Sequence, residues 1–437
     1  MKQVLILAYD FPPYISVGGL RPLGWYNYFK EYGLYPIIVT RQWGNNYGNS
    51  LDYVVSSESN EILIEQTDKG VIIRTPYIPN LANKILIKYG ENKFKTVRKL
   101  ITAYYEFSQF IFINGTKSEL YKAAEKYIID NKIDYIIATG SPHILFKYAS
   151  KLSSKYNIKW IADYRDPWTQ SRSRSKNLFL RYWNHYFEKK FTKNTSLIST
   201  VSEFTKKKIS ELIKKEIILV PNGYDANFLD DVSKIDQNNE ELNFAYIGTI
   251  YGWHSYKSVL KTIDKFICEG GTAYLNFYGI NKEDEVKVFV QKECVHLANK
   301  VRFFNKTTNR ELFKSLAENN VFLLFNDYNL IGTKIFDYIA INRKILLCYS
   351  EEKSEKYKSY PYYNDKSALM FEKEQEVLID KLRAGDVVKD SEQLFEELKK
   401  IEKEFNKYRR VEQSLNNIEI YSRRNSVKKL AERILQL

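Results

Sequence analysis

The sequence predicts an α/β protein with two parallel sheets, each covered by helices on both faces. Three observations predict it. Short apolar runs alternate with amphipathic helical segments along almost all of the 437 residues. The alternation pauses at a polar stretch rich in Asp, Asn and Gln, from Asp225 to Glu241, which reads as a linker. It then restarts, and each half is long enough to bury its own core.

The first unit is the most informative. Val4-Leu5-Ile6-Leu7-Ala8-Tyr9 reads as a buried strand, stopped by Asp10-Phe11-Pro12-Pro13. Gly18-Gly19-Leu20-Arg21-Pro22 opens a helix whose Trp25, Tyr28, Phe29 and Tyr32 share one apolar face. Pro22 suits the first helical turn and Gly33 the left-handed stop. Ile37-Ile38-Val39-Thr40 is the second strand. A glycine pair at a helix entrance lets bare backbone N–H groups approach a phosphate or a sugar, because no Cβ blocks them.

Strands Tyr135–Thr139, Trp160–Asp163, Leu197–Val201 and Ile217–Val220 follow. Ser141 with Pro142 is expected to start one helix, and Ser202 another. Beyond the linker come strands Phe244–Ile247, Tyr274–Tyr278, Val301–Phe304, Val321–Phe325 and Ile345–Tyr349. Helices Ser255–Ile267, Lys282–Ala298, Asn309–Glu318 and Lys334–Ile341 separate them. Near the end, Val427, Leu430, Ala431, Ile434 and Leu435 form one apolar face, so the terminal helix should dock. Two such halves imply Rossmann-like domains facing a cleft, with ligands at the carboxyl ends of the strands.

Composition excludes several classes. Hydrophobic content of 44% and charged content of 27% are those of a soluble globular protein. No run approaches the ~18–20 apolar residues of a membrane span. The N-terminal apolar run is too short for a signal peptide, and Asp10-Phe11-Pro12-Pro13 follows it at once. Cys268, Cys294 and Cys348 lie far apart and make no disulfide framework, which suits a reducing cytoplasm. His143, His185, His254 and His296 are scattered without zinc spacing. The chain has no Asp-x-Asp, no Gly-x-x-x-x-Gly-Lys-Ser/Thr and no Gly-x-Gly-x-x-Gly. These absences argue against a metal–diphosphate clamp, a P-loop enzyme and a nicotinamide dehydrogenase.

The net charge of +14 fits nucleic acid, an anionic membrane or a phosphorylated substrate. No nucleic-acid recognition module or base-stacking motif accompanies it. A basic, aromatic segment lies over 82–115. There Lys84, Lys88, Lys93, Lys95, Arg98 and Lys99 interleave with Ile85, Leu86, Phe94, Val97, Ile101 and Tyr104. Such a pattern lies on anionic lipid or packs its apolar side on its own domain.

The chain resembles GT-B glycosyltransferases of the glycosyltransferase family 4 type, especially bacterial surface-polysaccharide enzymes. Six segments carry the resemblance: Asp10-Phe11-Pro12-Pro13 with Gly18-Gly19; Asp163-Tyr164-Arg165-Asp166-Pro167-Trp168; Val201-Ser202-Glu203; Pro221-Asn222-Gly223-Tyr224-Asp225; Tyr246-Ile247-Gly248-Thr249; and Gly332-Thr333-Lys334-Ile335-Phe336-Asp337-Tyr338. Their order and spacing are specific together. Two departures stand out. Asp337 replaces the second acid of the family's Glu-x7-Glu motif, and Asn329 stands where the first would be. The Gly248-Thr249 loop lacks the arginine many members carry, which leaves Lys257 or Lys334 for the diphosphate.

The resemblance implies an acceptor-side domain over 1–225, a nucleotide-sugar domain over 226–415 and a C-terminal helix over 416–437 packing back on the first. It implies donor contacts at Gly18, Gly19, Arg21, Gly248, Thr249, Lys257, Gly332, Thr333, Lys334 and Asp337. Tyr278, Gly279, Asn305, Lys306 and Thr307, at strand ends, are expected beside the base. Cations and helix N-termini would stabilise the departing diphosphate, and the Asp337 carboxylate would accept ribose hydroxyls. Asp163, Arg165 and Asp166 are the catalytic candidates, as acceptor-orienting groups or base, or else as an internal Asp–Arg pair that shapes the loop. His143, at a helix start, is either a ligand contact or structural.

The expected activity is retaining, metal-independent transfer from a UDP- or GDP-linked sugar to a saccharide or lipid-linked acceptor, without a cofactor. Capsule, lipopolysaccharide or exopolysaccharide synthesis at the inner face of the cell membrane is its expected setting. A GT-B sugar-nucleotide epimerase would use the same nucleotide site without an acceptor. A basic nucleic-acid-binding protein is the other alternative.

Overall fold

Apolarity on both faces puts β1 (Lys2–Leu7) at the centre of the first sheet, where Val4, Leu5, Ile6 and Leu7 are fully buried. In the computed structural model the described residues are all but Ile15, Ser233, Thr308, Glu372 and residues 45–52, 171–177, 227–231, 349–359, 363–364 and 367–368. They form two units, Met1–Pro221 with Arg424–Leu437, and Asn222–Arg423.

In the first unit, α1 (Leu20–Tyr28) leads to β2 (Leu34–Arg41), β3 (Leu63–Gln66) and β4 (Val71–Thr75). Then come α2 (Leu81–Tyr89), α3 (Lys95–Ser108), α4 (Ser118–Asp130), β5 (Tyr135–Gly140), α5 (Ile144–Tyr156), β6 (Lys159–Tyr164), α6 (Leu178–Thr192), β7 (Leu197–Thr200), α7 (Glu203–Leu212) and β8 (Ile217–Leu219). The sheet order is β3-β4-β2-β1-β5-β6-β7-β8, parallel except for the β3–β4 pair. Strand order reverses between β1 and β5, so their carboxyl ends open the crevice in which such sheets bind ligands.

Local chemistry sets the helix ends. Ser202 caps α7 by accepting from Thr205 N at 3.2 Å. The helix expected at Ser141-Pro142 starts later, at Ile144, and the Gly140 and Ser141 carbonyls before it accept from Arg165. Trp25, Tyr28 and Phe29 are buried as their spacing predicts.

In the second unit the order is β9 (Asn243–Ile247), α8 (Tyr256–Cys268), β10 (Tyr274–Tyr278), α9 (Glu283–Glu293), β11 (Val301–Phe304), α10 (Asn309–Ala317), β12 (Val321–Phe325), α11 (Lys334–Ile341), β13 (Lys344–Cys348), α12 (Glu374–Leu382), β14 (Gly385–Val388) and α13 (Ser391–Tyr408). Its sheet runs β11-β10-β9-β12-β13-β14, with every pair parallel. This is the Rossmann strand order, with its switch point between β9 and β12.

The end of the polar stretch before β9 is packed rather than loose. Asn320, fully buried, donates to Gln237 Oε1 at 3.0 Å and to the Asn238 carbonyl at 2.9 Å. The last helix, α14 (Arg423–Leu435), docks on the first unit as its apolar face predicts. Val427, Leu430, Ala431 and Ile434 join Val4, Ile6, Trp25 and Phe29 in one core cluster. Leu435, expected on that face, is exposed.

Candidate active site

The second unit gathers its site at the carboxyl ends of β9 and β12. Gly248 N, just past β9, donates to the Tyr278 carbonyl at 3.0 Å. The Thr249 carbonyl accepts from Tyr246 Oη at 2.7 Å and from Lys334 Nζ at 3.2 Å. Lys334 also donates to Tyr246 Oη at 2.6 Å and lies 4.3 Å from the centre of that ring. Thr249 and Lys334 are thus brought together, although their sequence positions are far apart. Among the described residues no acid stands within ion-pair distance of Lys334. Burial pulls its ammonium down to about 8, against the opposing pull of Asp327.

Lys334 begins α11, and Thr333 caps that helix without a side-chain hydrogen bond. The first-turn N–H groups therefore add a partial positive charge beside the ammonium. Asp337 stands in the same first turn. It is half-buried, and burial pushes its carboxyl up to about 7, with Arg423 opposing and Asp225 reinforcing. Arg423 in turn pairs with Asp225 at 3.1 Å. Tyr338 Oη accepts from Ile247 N at 3.0 Å, which fixes α11 to the end of β9.

Gly279 and Lys306 meet at the ends of β10 and β11. Gly279 has φ +58°, and a Cβ there would lie 2.8 Å from Lys306 Cγ. Asn305 and Lys306 are exposed, while the Thr307 hydroxyl bonds Glu311. Tyr278 departs from its expected place. Its ring stacks on Phe304 at 4.6 Å and its hydroxyl accepts from Asn319 Nδ2 at 3.1 Å, so the side chain belongs to the interior. Lys257 also differs from Lys334. It already has an anion, Glu285 at 3.3 Å, and lies over Phe289 on the α8–α9 seam.

Sequence reasoning missed a buried polar group beside Lys334. His254 Nε2 lies 2.7 Å from Asp327 Oδ1, and Trp253 Nε1 donates to the same oxygen at 3.2 Å. His254 Nδ1 accepts from Tyr251 N at 3.3 Å, so the neutral ring satisfies both nitrogens. Burial lowers the His254 pKa, in keeping with that neutral form. Asp327 N donates to Gln375 Oε1 at 2.7 Å. Asn329 is fully buried, with its Oδ1 accepting from Tyr360 Oη. One signal was available: Trp253-His254 follows the Gly248-Thr249 loop, and Asn326-Asp327 ends the apolar run of β12.

In the first unit the expected catalytic triplet separates. Asp163 is fully buried and accepts four hydrogen bonds. Arg21 Nη2 donates at 2.6 Å and Arg21 Nε at 3.2 Å, Ser199 Oγ at 2.8 Å and Thr139 Oγ1 at 2.9 Å. Arg21 Nη1 donates to the Val220 carbonyl at 2.8 Å. Arg21, expected as a donor contact, and Asp163, expected as a catalytic group, thus spend these hydrogen bonds inside the first unit. They form an internal pair that ties α1 to the ends of β5, β6 and β7.

Arg165 is half-buried and donates to two carbonyls, Gly140 at 2.8 Å and Ser141 at 2.5 Å, while Asp166 is exposed. Gly18 sits against Arg165 and Asp10: a Cβ there would strike Arg165 Nη1 and lie 2.5 Å from Asp10 Oδ2. At Gly19 the nearest atoms would be 3.5 Å away, an ordinary contact. The glycine requirement of the opening loop is therefore Gly18's. Asp10 accepts from Ser16 Oγ at 2.9 Å, and burial raises its pKa. His143 stacks on Trp168 at 4.9 Å, a packing role.

Two Rossmann-type sheets, with a terminal helix returning to the first, are the GT-B architecture. More narrowly, residues 91–228 match the model described as Glycosyltransferase Family 4. Solved structures agree on the fold over the whole chain. HepE from Anabaena, in its complex with UDP-glucose, is 11% identical with a TM-score of 0.57, covering 100% of each chain. A trehalose-phosphate synthase (UDP-forming) from Burkholderia vietnamiensis is 8% identical with a TM-score of 0.58, covering 100% of this chain and 98% of that one. Sucrose-phosphate synthase from Thermosynechococcus elongatus is 12% identical with a TM-score of 0.55, covering 99% of this chain and 95% of that one. No curated protein matches the sequence.

Proposed function

We propose that the chain transfers a sugar from a nucleotide-sugar donor, UDP- or GDP-linked, to a saccharide or lipid-linked saccharide acceptor. One observation carries the reading. Lys334 holds an ammonium without an acid partner among the described residues, at the amino end of α11 and at the β9/β12 switch point. A cation and helix N–H groups together suit a diphosphate, where negative charge grows as the sugar leaves. Complexes of HepE with UDP-glucose and with UDP support the same ligand class. The transfer is retaining and needs no metal: a donor phosphate oxygen takes the acceptor proton as the new glycosidic bond forms and the nucleoside diphosphate departs.

Asp337 supplies the test. A nucleotide sugar that donates ribose hydroxyls to its carboxylate favours the ionised form. Asp337→Ala is expected to weaken UDP- or GDP-sugar binding about tenfold in calorimetry, without a change in fold by circular dichroism. Unchanged affinity would remove Asp337 from the site. A thermal-shift panel of nucleoside diphosphates names the base, because the tightest binder stabilises most.

The acceptor side fits an anionic membrane on the cytoplasmic face, in surface-polysaccharide assembly. The support is a surface on α2, α3 and α6. Leu100 and Tyr104 of α3 are exposed, and so are Phe179 and Tyr182 of α6. Phe107 joins these helices, 5.7 Å from Phe179 and 5.5 Å from Trp183. Lys147 anchors the end of α3 by donating to the Gln109 and Phe112 carbonyls at 2.6 and 2.7 Å. Among the described residues no helix is long and apolar enough to cross a membrane. Replacing Lys93, Lys95 and Lys99 by serine is expected to weaken binding to phosphatidylglycerol vesicles at least tenfold, at about 1 kcal/mol per residue. Turnover of a soluble acceptor should stay unchanged. Equal vesicle sedimentation by the variant would sink the membrane assignment.

A further inference from the structure

We infer that Glu188 of α6 is a positioning residue for the acceptor, holding in place the loop after β6 on which Arg165 and Asp166 stand. The inference rests on the glycosyl-transfer reading, with the first unit as the acceptor side, and concerns a group that the reading does not use.

Glu188 is fully buried, and the partners of its carboxylate come from the end of β6 and the loop that follows. Tyr164 Oη donates to Oε1 at 3.0 Å, and the Thr169 hydroxyl donates to Oε2. Gln170 Nε2 donates to both oxygens at 3.2 Å, and the Thr169 amide adds a backbone hydrogen bond. Among the described residues no lysine, arginine or histidine stands within ion-pair distance of Glu188. These donors satisfy the lone pairs but supply no opposite charge, so the ionised carboxylate costs stability where it stands. Burial accordingly raises its pKa, with the hydroxyl and amide donors opposing. A charge kept at a cost in stability is accounted for by what it holds in place.

What Glu188 holds is a meeting point of loops. Between Tyr164 and Thr169 lie Arg165, Asp166 and Trp168. Arg165 donates to the Gly140 and Ser141 carbonyls at the end of β5, and its Nη1 stands against Gly18 of the loop past β1. Trp168 stacks on His143. The carboxyl ends of β1, β5 and β6 thus share one fixed arrangement at the crevice of the first sheet, where a bound acceptor would meet it. The exposed side of α6 carries Phe179 and Tyr182, which belong to the surface assigned above to the membrane. One helix therefore bears both the lipid-facing aromatics and the carboxylate that fixes the loop. Glutamine keeps the volume of Glu188 but not its pattern of acceptors: its NH2 would confront the Gln170 NH2 or the Thr169 amide, donor against donor.

The test uses the full chain, with UDP-glucose or GDP-mannose as donor and the octyl glycosides of glucose, galactose, mannose and N-acetylglucosamine as acceptors. It reads the ratio of sugar transferred to sugar hydrolysed, which a loss of folded protein alone does not move. In Glu188→Gln that ratio should fall about tenfold or more, the effect of a small misplacement of the acceptor. The melting temperature should stay level or rise, because a buried charge has gone. Affinity for the donor, held by the second unit, should change less than about twofold. Gln170→Leu removes one donor from the same carboxylate and should lower the ratio in the same direction. An unchanged ratio in both variants, or a lower melting temperature with transfer and hydrolysis falling together, makes Glu188 a structural acid and overturns the inference while leaving the transferase reading standing. A parent chain that hydrolyses its donor but glycosylates none of the acceptors overturns the acceptor premise. If the parent releases neither UDP nor GDP, the nucleotide-sugar reading fails and this inference fails with it.

Discussion

Arg21→Ala is expected to destabilise the first unit by about 3–5 kcal/mol, the cost of breaking a buried ion pair from one side. Asp163 would keep its charge in the interior and lose two of its four donors. Thr139 and Ser199 alone cannot balance that charge. The Val220 carbonyl would lose its partner as well. A fall in melting temperature on the order of 10 °C should follow. The double variant Arg21→Met with Asp163→Leu should recover much of the loss, because it replaces the pair without leaving a charge behind. Nucleotide affinity should not move in either variant, since the pair is internal to the first unit. A stable Arg21→Ala chain with weakened nucleotide binding would return Arg21 to the donor site and refute the structural role.

The contrast between Asp163 and Asp337 marks what a sequence can show. Both were legible as acids at the end of a strand or the start of a helix. Their burial and partners were not, because Arg21 and Asp163 are 142 residues apart in sequence. The strands of the second sheet up to β13 were legible, the inner ones because buried parallel strands are mainly apolar runs, and β11 at the edge through its short apolar run between helical segments. β14 was not: Gly385-Asp386-Val387-Val388 is short and half polar. β3 escaped for the opposite reason, an antiparallel edge strand with all four residues exposed. The glycine pair Gly18-Gly19 was legible as a close-packed loop at a helix entrance. Only coordinates separate Gly18, pressed against Arg165 and Asp10, from Gly19, which has ordinary space. Asp327 and His254 were overlooked because a lone histidine and a lone aspartate, 73 residues apart, carry no motif.

Lys334→Met should have the largest effect on the ligand. A charged hydrogen-bond donor contributes about 1.5–3 kcal/mol, so nucleotide-sugar affinity should fall by about 10- to 100-fold. Methionine keeps the length and the packing on Tyr246, so stability should hold. The pH dependence makes the assignment sharper. In the free chain burial has drawn Lys334 down to about 8 and pushed Asp337 up to about 7. A diphosphate favours the protonated lysine, so affinity should fall as pH rises through about 8. Ribose hydroxyls favour the ionised aspartate, so affinity should rise as pH climbs through about 7. The product is a bell with its maximum between the two values, each limb spanning about tenfold over two pH units. Calorimetry with a nucleotide sugar from pH 6 to 9 resolves the limbs. Lys334→Met should remove the alkaline limb and leave the acid one, and Asp337→Asn should do the reverse. If the alkaline limb persists in Lys334→Met, another group receives the diphosphate.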